Sequence, residues 1–99
     1  MDWSVETLNE TVDKELAALP ADMRARFVWI SQLITEPYVK HIEKALWEIR
    51  LKGKDGISRA LYVTPRPKRV IIVRVFIKKS QKIPRKEIKL ALKRAEGIE

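Results

Sequence analysis

Hydrophobic positions recur along this chain with two different periods. Leu8, Val12, Leu16 and Leu19 fall at helical spacing. Thr7-Leu8-Asn9-Glu10 stands before them as a capping box, with Asn9 as a rival N-cap. Pro20 ends that helix and suits the first turn of another. The second helix is expected over about Ala21 to Thr35, with Phe27, Ile30, Leu33 and Ile34 on its apolar face and Met23 one turn earlier. Pro37 closes it, and the two helices form a hairpin. Ahead of them Trp3, Val5 and Thr7 alternate with Ser4 and Glu6, which predicts a short opening strand.

From Leu46 the period changes to two. Trp47, Ile49 and Leu51 take one face of a strand, and Glu48, Arg50 and Lys52 the other. Gly53-Lys54-Asp55-Gly56 is a turn in which Gly56 is free to adopt positive φ. A second strand is expected from Ile57 to Thr64, then a stiff connection, Pro65-Arg66-Pro67-Lys68, that suits no sheet interior. The third strand, Val70 to Ile77, is apolar at nearly every position, as a central strand buried on both faces should be. Short turns make an antiparallel meander the economical topology. Pro84 opens a last helix, about Arg85 to Ala95, with Ile88, Leu92 and Ala95 flanked by Ala91 as its buried stripe and Gly97 as C-cap. The expected order is β-α-α-β-β-β-α, an α+β fold in one domain over residues 1–99.

Composition narrows the chemistry. Cysteine is absent and there is one histidine, which argues against a disulfide framework and a structural zinc site. Arg74 interrupts the longest apolar run, far short of the roughly 20 residues a membrane helix needs. Met1-Asp2-Trp3-Ser4 carries no signal-peptide pattern, so a soluble cytoplasmic protein is expected. The net charge is +8, and it is unevenly placed. Residues 1–49 hold 5 basic and 9 acidic residues; residues 50–99 hold 16 basic and 4 acidic. A second half at net +12 points to a polyanion, nucleic acid first.

Arg59 and Arg74 are the lone charges in their strands, an unusual place for arginine. If register aligns them, Arg50, Arg59 and Arg74 converge on a phosphate-sized site, which guanidinium forks suit. Lys78, Lys79 and Lys82 extend the rim, and Lys52 and Lys54 lie at the first turn. Arg74 has a structural alternative, snorkelling to solvent or pairing with Glu48. His41 is a possible general base but reads more readily as an exposed surface residue. Trp3, Trp29 and Trp47 read as core or core-edge. Phe76 is the aromatic best placed to stack on a base, although core packing suits it better. No Ser/His/Asp set, P-loop, dinucleotide loop or carboxylate pair is present, and nothing calls for a cofactor.

The meander segments Leu46-Trp47-Glu48-Ile49-Arg50-Leu51, Ser58-Arg59-Ala60-Leu61-Tyr62 and Val73-Arg74-Val75-Phe76-Ile77-Lys78-Lys79 resemble the phage-derived, HigB-like branch of the RelE toxin superfamily. The ending Lys82-Ile83-Pro84-Arg85 with Ala91-Leu92-Lys93-Arg94 shares the likeness, which covers nearly the whole chain. The resemblance implies two N-terminal helices on a curved, mainly antiparallel sheet. It implies the toxin of a type II toxin–antitoxin pair, which enters the ribosome and cuts mRNA. The implied partners are a helix-turn-helix, HigA-like antitoxin, the ribosome and mRNA, with no membrane and no small-molecule cofactor.

By position, Arg50 matches the family's basic residue at the scissile phosphate, Arg59 the arginine of the second strand, and Lys79 the basic residue after the third. Lys52, Lys54, Lys79 and, as an acidic alternative, Glu48 are candidates for the base. Glu48 stands where the RelE prototype has a second lysine. No aromatic follows Ile77, and the link from Thr35 to Leu46 is shorter than in relatives. Two other classes stay open: a non-catalytic nucleic-acid-binding module using the same basic face, and a protein-interaction module whose groove receives an acidic segment.

Overall fold

The structure is a computed structural model that describes residues 4–31, 39–54, 56–78 and 82–98. The elements run β1 (Ser4–Thr7), α1 (Glu10–Ala17), α2 (Ala21–Ser31), β2 (Val39–Glu43), β3 (Leu46–Gly53), β4 (Gly56–Arg66), β5 (Arg69–Lys78) and α3 (Arg85–Ala95). Five strands form one sheet in the order β1-β5-β4-β3-β2. The β3-β4-β5 meander is antiparallel as its short turns require, whereas β1 pairs parallel with β5, so the sheet is mixed. Three helices pack on this open sheet, an α+β architecture of the RelE-like kind.

Alternation in the strands sends side chains into two cores. Ile49, Leu51, Ala60, Tyr62, Val70, Ile72 and Val75 pack with Val12, Met23 and Phe27 of α1 and α2. Leu61, Val63, Ile71, Val73 and Phe76 pack with Ile88 and Ala91 of α3. The continuous apolar run of β5 follows from this, because the strand is covered on both faces. Leu92 and Ala95 are partly buried against the second core.

Local details depart from the sequence expectations in five places. Asn9, not Thr7, caps α1: its Oδ1 accepts the Val12 N–H at 3.1 Å, while the Thr7 hydroxyl donates to Asp13. An additional strand, β2, precedes the meander and pairs antiparallel with β3. β4 continues through Pro65 to Arg66, tolerated because the ladder shifts register between Val63 and Arg66 and leaves Pro65 without a partner. The turn is confined to Pro67 and Lys68, with Lys68 at φ 62. Gly97 does not take positive φ; the backbone N–H of Glu96 caps α3 on the Lys93 carbonyl. Gly56, at φ 141, does use the freedom expected of it. Trp3, Thr35, Leu33, Ile34, Pro37 and the link from 32 to 38 lie outside the described residues.

Candidate functional site

The register of β3 and β4 sets Arg50 directly opposite Arg59. Both project to the α3 side of the sheet, since their neighbours Ile49, Leu51 and Ala60 fill the opposite core. On that side lies a pocket of about 440 Å³ lined by Lys40, His41, Glu48, Arg50, Arg59 and Lys82, with Ile83 and Ile88 as apolar walls. β2 supplies Lys40 and His41, the meander supplies Glu48 and both arginines, and the approach to α3 supplies Lys82.

Arg59 and Glu48 are buried, at 6% and 4% exposure, and form an ion pair with Nε and Oε2 3.0 Å apart. Among the described residues these two atoms meet no hydrogen-bond geometry with each other or with any other group, so the contact is one of charge rather than of an aligned N–H. Burial pulls the guanidinium pKa down, Glu48 pushes it back up, and Arg50 across the ladder lowers it again. An arginine remains charged at neutral pH through all of this. One Nη of Arg59 donates to the Ser58 carbonyl at 3.4 Å.

His41 is exposed, as the sequence suggested, and lines the pocket's rim; the register sets it opposite Trp47, whose side chain packs toward the α1–α2 core. The Nε2 of His41 is 2.7 Å from the Lys44 carbonyl oxygen. A carbonyl only accepts, so Nε2 carries a proton in this contact. The ring also stands edge-on to Trp47, 5.0 Å between centroids. Arg85, at the start of α3, donates to Glu43 of β2 through both Nη1 and Nη2. That bond to Arg85 holds the Glu43 carboxyl below its ordinary value and raises Arg85.

Arg74 does not join Arg50 and Arg59. A bulge in β5 sets Leu61 opposite Arg74 and Tyr62 opposite Ile72, leaving Val73 unmatched. Val73 and Phe76 both reach the α3-side core while Val75 reaches the other, so the bulge turns Arg74 away from the α1–α2 core. There Arg74 Nε and Nη2 donate to Glu87 at 2.8 and 3.1 Å, and its Nη1 contacts Glu15 at 2.7 Å. Its partner is therefore not Glu48. Arg94 closes the network on Glu15 at 3.0 Å and donates to the Val73 carbonyl at 2.9 Å. Glu15 in turn accepts the Val75 N–H at 3.0 Å. Beyond the end of β1, these two side chains satisfy the free edge of β5, which blunts it against further pairing. Arg74 serves this network and also lies 5.7 Å from the Phe76 ring, which is itself buried.

The lysines divide. Lys82 lines the arginine pocket, but Lys52 and Lys54 face a different groove, of about 470 Å³, with Asp22, Arg26 and Trp29 of α2. Trp29 is 46% exposed, neither core nor core-edge, whereas Trp47 packs against the α1–α2 core. Lys79 and the side chain of Lys78 lie outside the described residues. Among the described residues no group of three or more His, Asp or Glu could hold a metal ion, and no helix is long and apolar enough to cross a membrane.

The family model for phage-derived Gp49-like proteins (DUF891) matches residues 14–96. That span takes in α2, the whole meander, both clefts and α3, so the chain belongs to this family, a RelE-like toxin family, and fits the toxin of a toxin–antitoxin system. No curated protein matches the chain.

Proposed function

We propose that this chain is a single toxin domain, residues 1–99, of the HigB-like kind, acting in the cytoplasm as a ribosome-dependent mRNA endoribonuclease. A HigA-like helix-turn-helix antitoxin would be its cognate partner. The observation that carries the reading is the pairing of Arg50 with Arg59 across β3 and β4, beside His41 and Glu48 in one pocket.

Cleavage of RNA by its own ribose needs three things. The 2′-OH must lose a proton as it attacks the adjacent phosphorus. Charge on the phosphoryl oxygens must be stabilised. The departing 5′-oxygen must gain a proton, leaving a 2′,3′-cyclic phosphate and a 5′-hydroxyl. Arg50 and Arg59 supply the second requirement, as guanidinium forks on the phosphate oxygens. The buried Glu48 holds the Arg59 head in the pocket, so its charge is placed before substrate arrives. His41, at the pocket's rim, is the candidate to accept the 2′ proton through the lone pair of a neutral imidazole. Lys40 and Lys82 lie at the pocket to attract the backbone. A pocket of about 440 Å³ is too small to enclose an RNA strand, which agrees with a ribosome that presents the message.

The test is mRNA cleavage in a reconstituted translation reaction, mapped by primer extension with and without ribosomes. Ribosome-dependent cuts are expected, reduced at least about 100-fold in Arg50→Ala and His41→Ala, the range general acid–base and charge-stabilising groups contribute. Arg59→Lys keeps a cation beside Glu48 and controls for folding. No cuts by folded wild type, with salt-sensitive binding to naked RNA, would replace this reading by a non-catalytic module.

A further inference from the structure

The groove between α2 and the β3–β4 turn takes no part in the chemistry above. Asp22, Arg26 and Trp29 form its helix wall, spaced so that they lie on one stripe, and Lys52, Gly53 and Lys54 form the other. The walls are held together by design of the backbone. Asp22 Oδ2 accepts the Lys54 N–H at 2.6 Å, and Oδ1 accepts the Met23 N–H at 2.9 Å. Gly53 permits the approach, because a Cβ there would stand 2.7 Å from Met23 Cγ. Among the described residues three cations line the groove with one carboxylate, which already accepts from two backbone donors.

At the end of this basic groove the indole of Trp29 is half exposed, with the Arg26 guanidinium 5.7 Å from its ring. A cationic groove ending on an accessible aromatic is the arrangement that holds single-stranded nucleic acid: charges follow the phosphates and the ring stacks a base of any identity. Lys52 lies two residues from Arg50, about 7 Å along β3. The groove is walled by α2 and the arginine pocket lies on the α3 side, so the two open on opposite faces of the sheet.

We propose that this groove is a binding site for single-stranded RNA. One base stacks on Trp29, and Arg26, Lys52 and Lys54 hold the flanking phosphates. That the bound RNA is a message rests on the function proposed above; the groove itself does not. Charge selects the occupant, since an apolar protein helix would leave these cations facing it without partners.

The experiment uses the full chain and a short, fluorescently labelled 2′-O-methyl oligoribonucleotide, which has no 2′-hydroxyl to attack. Trp29→Ala should weaken binding about 5- to 100-fold, the range one lost stacking partner produces, and Trp29→Phe should retain most of it. Lys54→Ala should reduce the slope of log affinity against log salt by about 0.7. Val28→Ser, on the exposed neighbour of Trp29, should change nothing. Trp29 is on the outer face of α2, so its variants should fold, as checked by circular dichroism. If Trp29→Ala binds RNA as wild type does, the proposal is overturned, whatever the cleavage assay shows. Normal RNA binding with lost antitoxin capture would overturn it too and assign the groove to a protein. Trp29-dependent binding by a chain that cuts no mRNA would sustain the groove and remove only the cleavage reading.

Discussion

Replacing Glu48 by Gln leaves the Arg59 guanidinium buried with no counter-charge. The two side chains are only 6% and 8% exposed and their charges meet at 3.0 Å, so solvent screens them little. Removing one partner of such a pair costs about 3–5 kcal/mol, against a total stability of order 5–15 kcal/mol. Replacing both by Met returns much of that loss, because neither charge then has to be desolvated. The assay is urea unfolding at 25 °C of wild type, Glu48→Gln, Glu48→Met, Arg59→Met and the double Met variant, followed by tryptophan fluorescence. Glu48→Gln and Glu48→Met should each lose about 3–5 kcal/mol, and the cycle should show a coupling of at least about 2 kcal/mol. At about 4–8 °C per kcal/mol for a domain of this size, the Tm of Glu48→Gln should fall by more than about 10 °C. A loss within about 0.5 kcal/mol with additive single variants is the behaviour of a hydrated surface pair. That result would refute the view that burial pre-places Arg59 for phosphate.

Gly53→Ala should destabilise the chain by about 1–3 kcal/mol in the same urea assay, because its Cβ meets Met23 Cγ at 2.7 Å and Asp22 Oδ2 at 2.9 Å. A neutral result would mean that α2 and the turn separate freely. Burial pushes the Glu15 carboxyl up, but the bonds from Arg94 and the Val75 N–H and the charge of Arg74 outweigh it and leave the pKa below 4.5. A depressed carboxyl stabilises the fold above its unfolded pKa and loses that contribution as pH falls through the folded one. Stability should therefore drop below pH 4.5, and Glu15→Gln should flatten that limb; parallel curves would exclude the network as the cause. Burial pushes the Tyr62 phenol up from 10 to about 12. The folded state then binds more protons in that interval, so stability falls as pH rises from 10 towards 12, and Tyr62→Phe should lessen the decline.

The α+β class, the two helices either side of Pro20 and the three-stranded meander were legible in the chain because each rests on periodicity. Leu8, Val12, Leu16 and Leu19 repeat as a helix does, and Trp47, Ile49 and Leu51 alternate as a strand does. Strand β2 was not legible: Val39-Lys40-His41-Ile42-Glu43 is short, and its turn uses Lys44 at φ 51 where glycine or asparagine would have signalled it. That His41 is exposed was legible, but its place at the rim of the arginine pocket was not, since only the pairing of β2 with β3 brings that strand beside Glu48.

The sequence by itself determined the local elements, the excess of cations in the second half and the arginines set singly in apolar strands. These depend on neighbours a few residues apart, and the chain order contains them. Only the tertiary structure decided what each cation does. Register placed Arg50 against Arg59, a bulge at Val73 diverted Arg74 to Glu87 and Glu15, and Gly53 brought Lys52 and Lys54 to Trp29. The charge of an arginine is set by its chemistry, but its partner is set by which carboxylate the fold brings within about 3 Å. That distance joins residues up to 79 positions apart, as in Glu15 and Arg94, and no local pattern carries it.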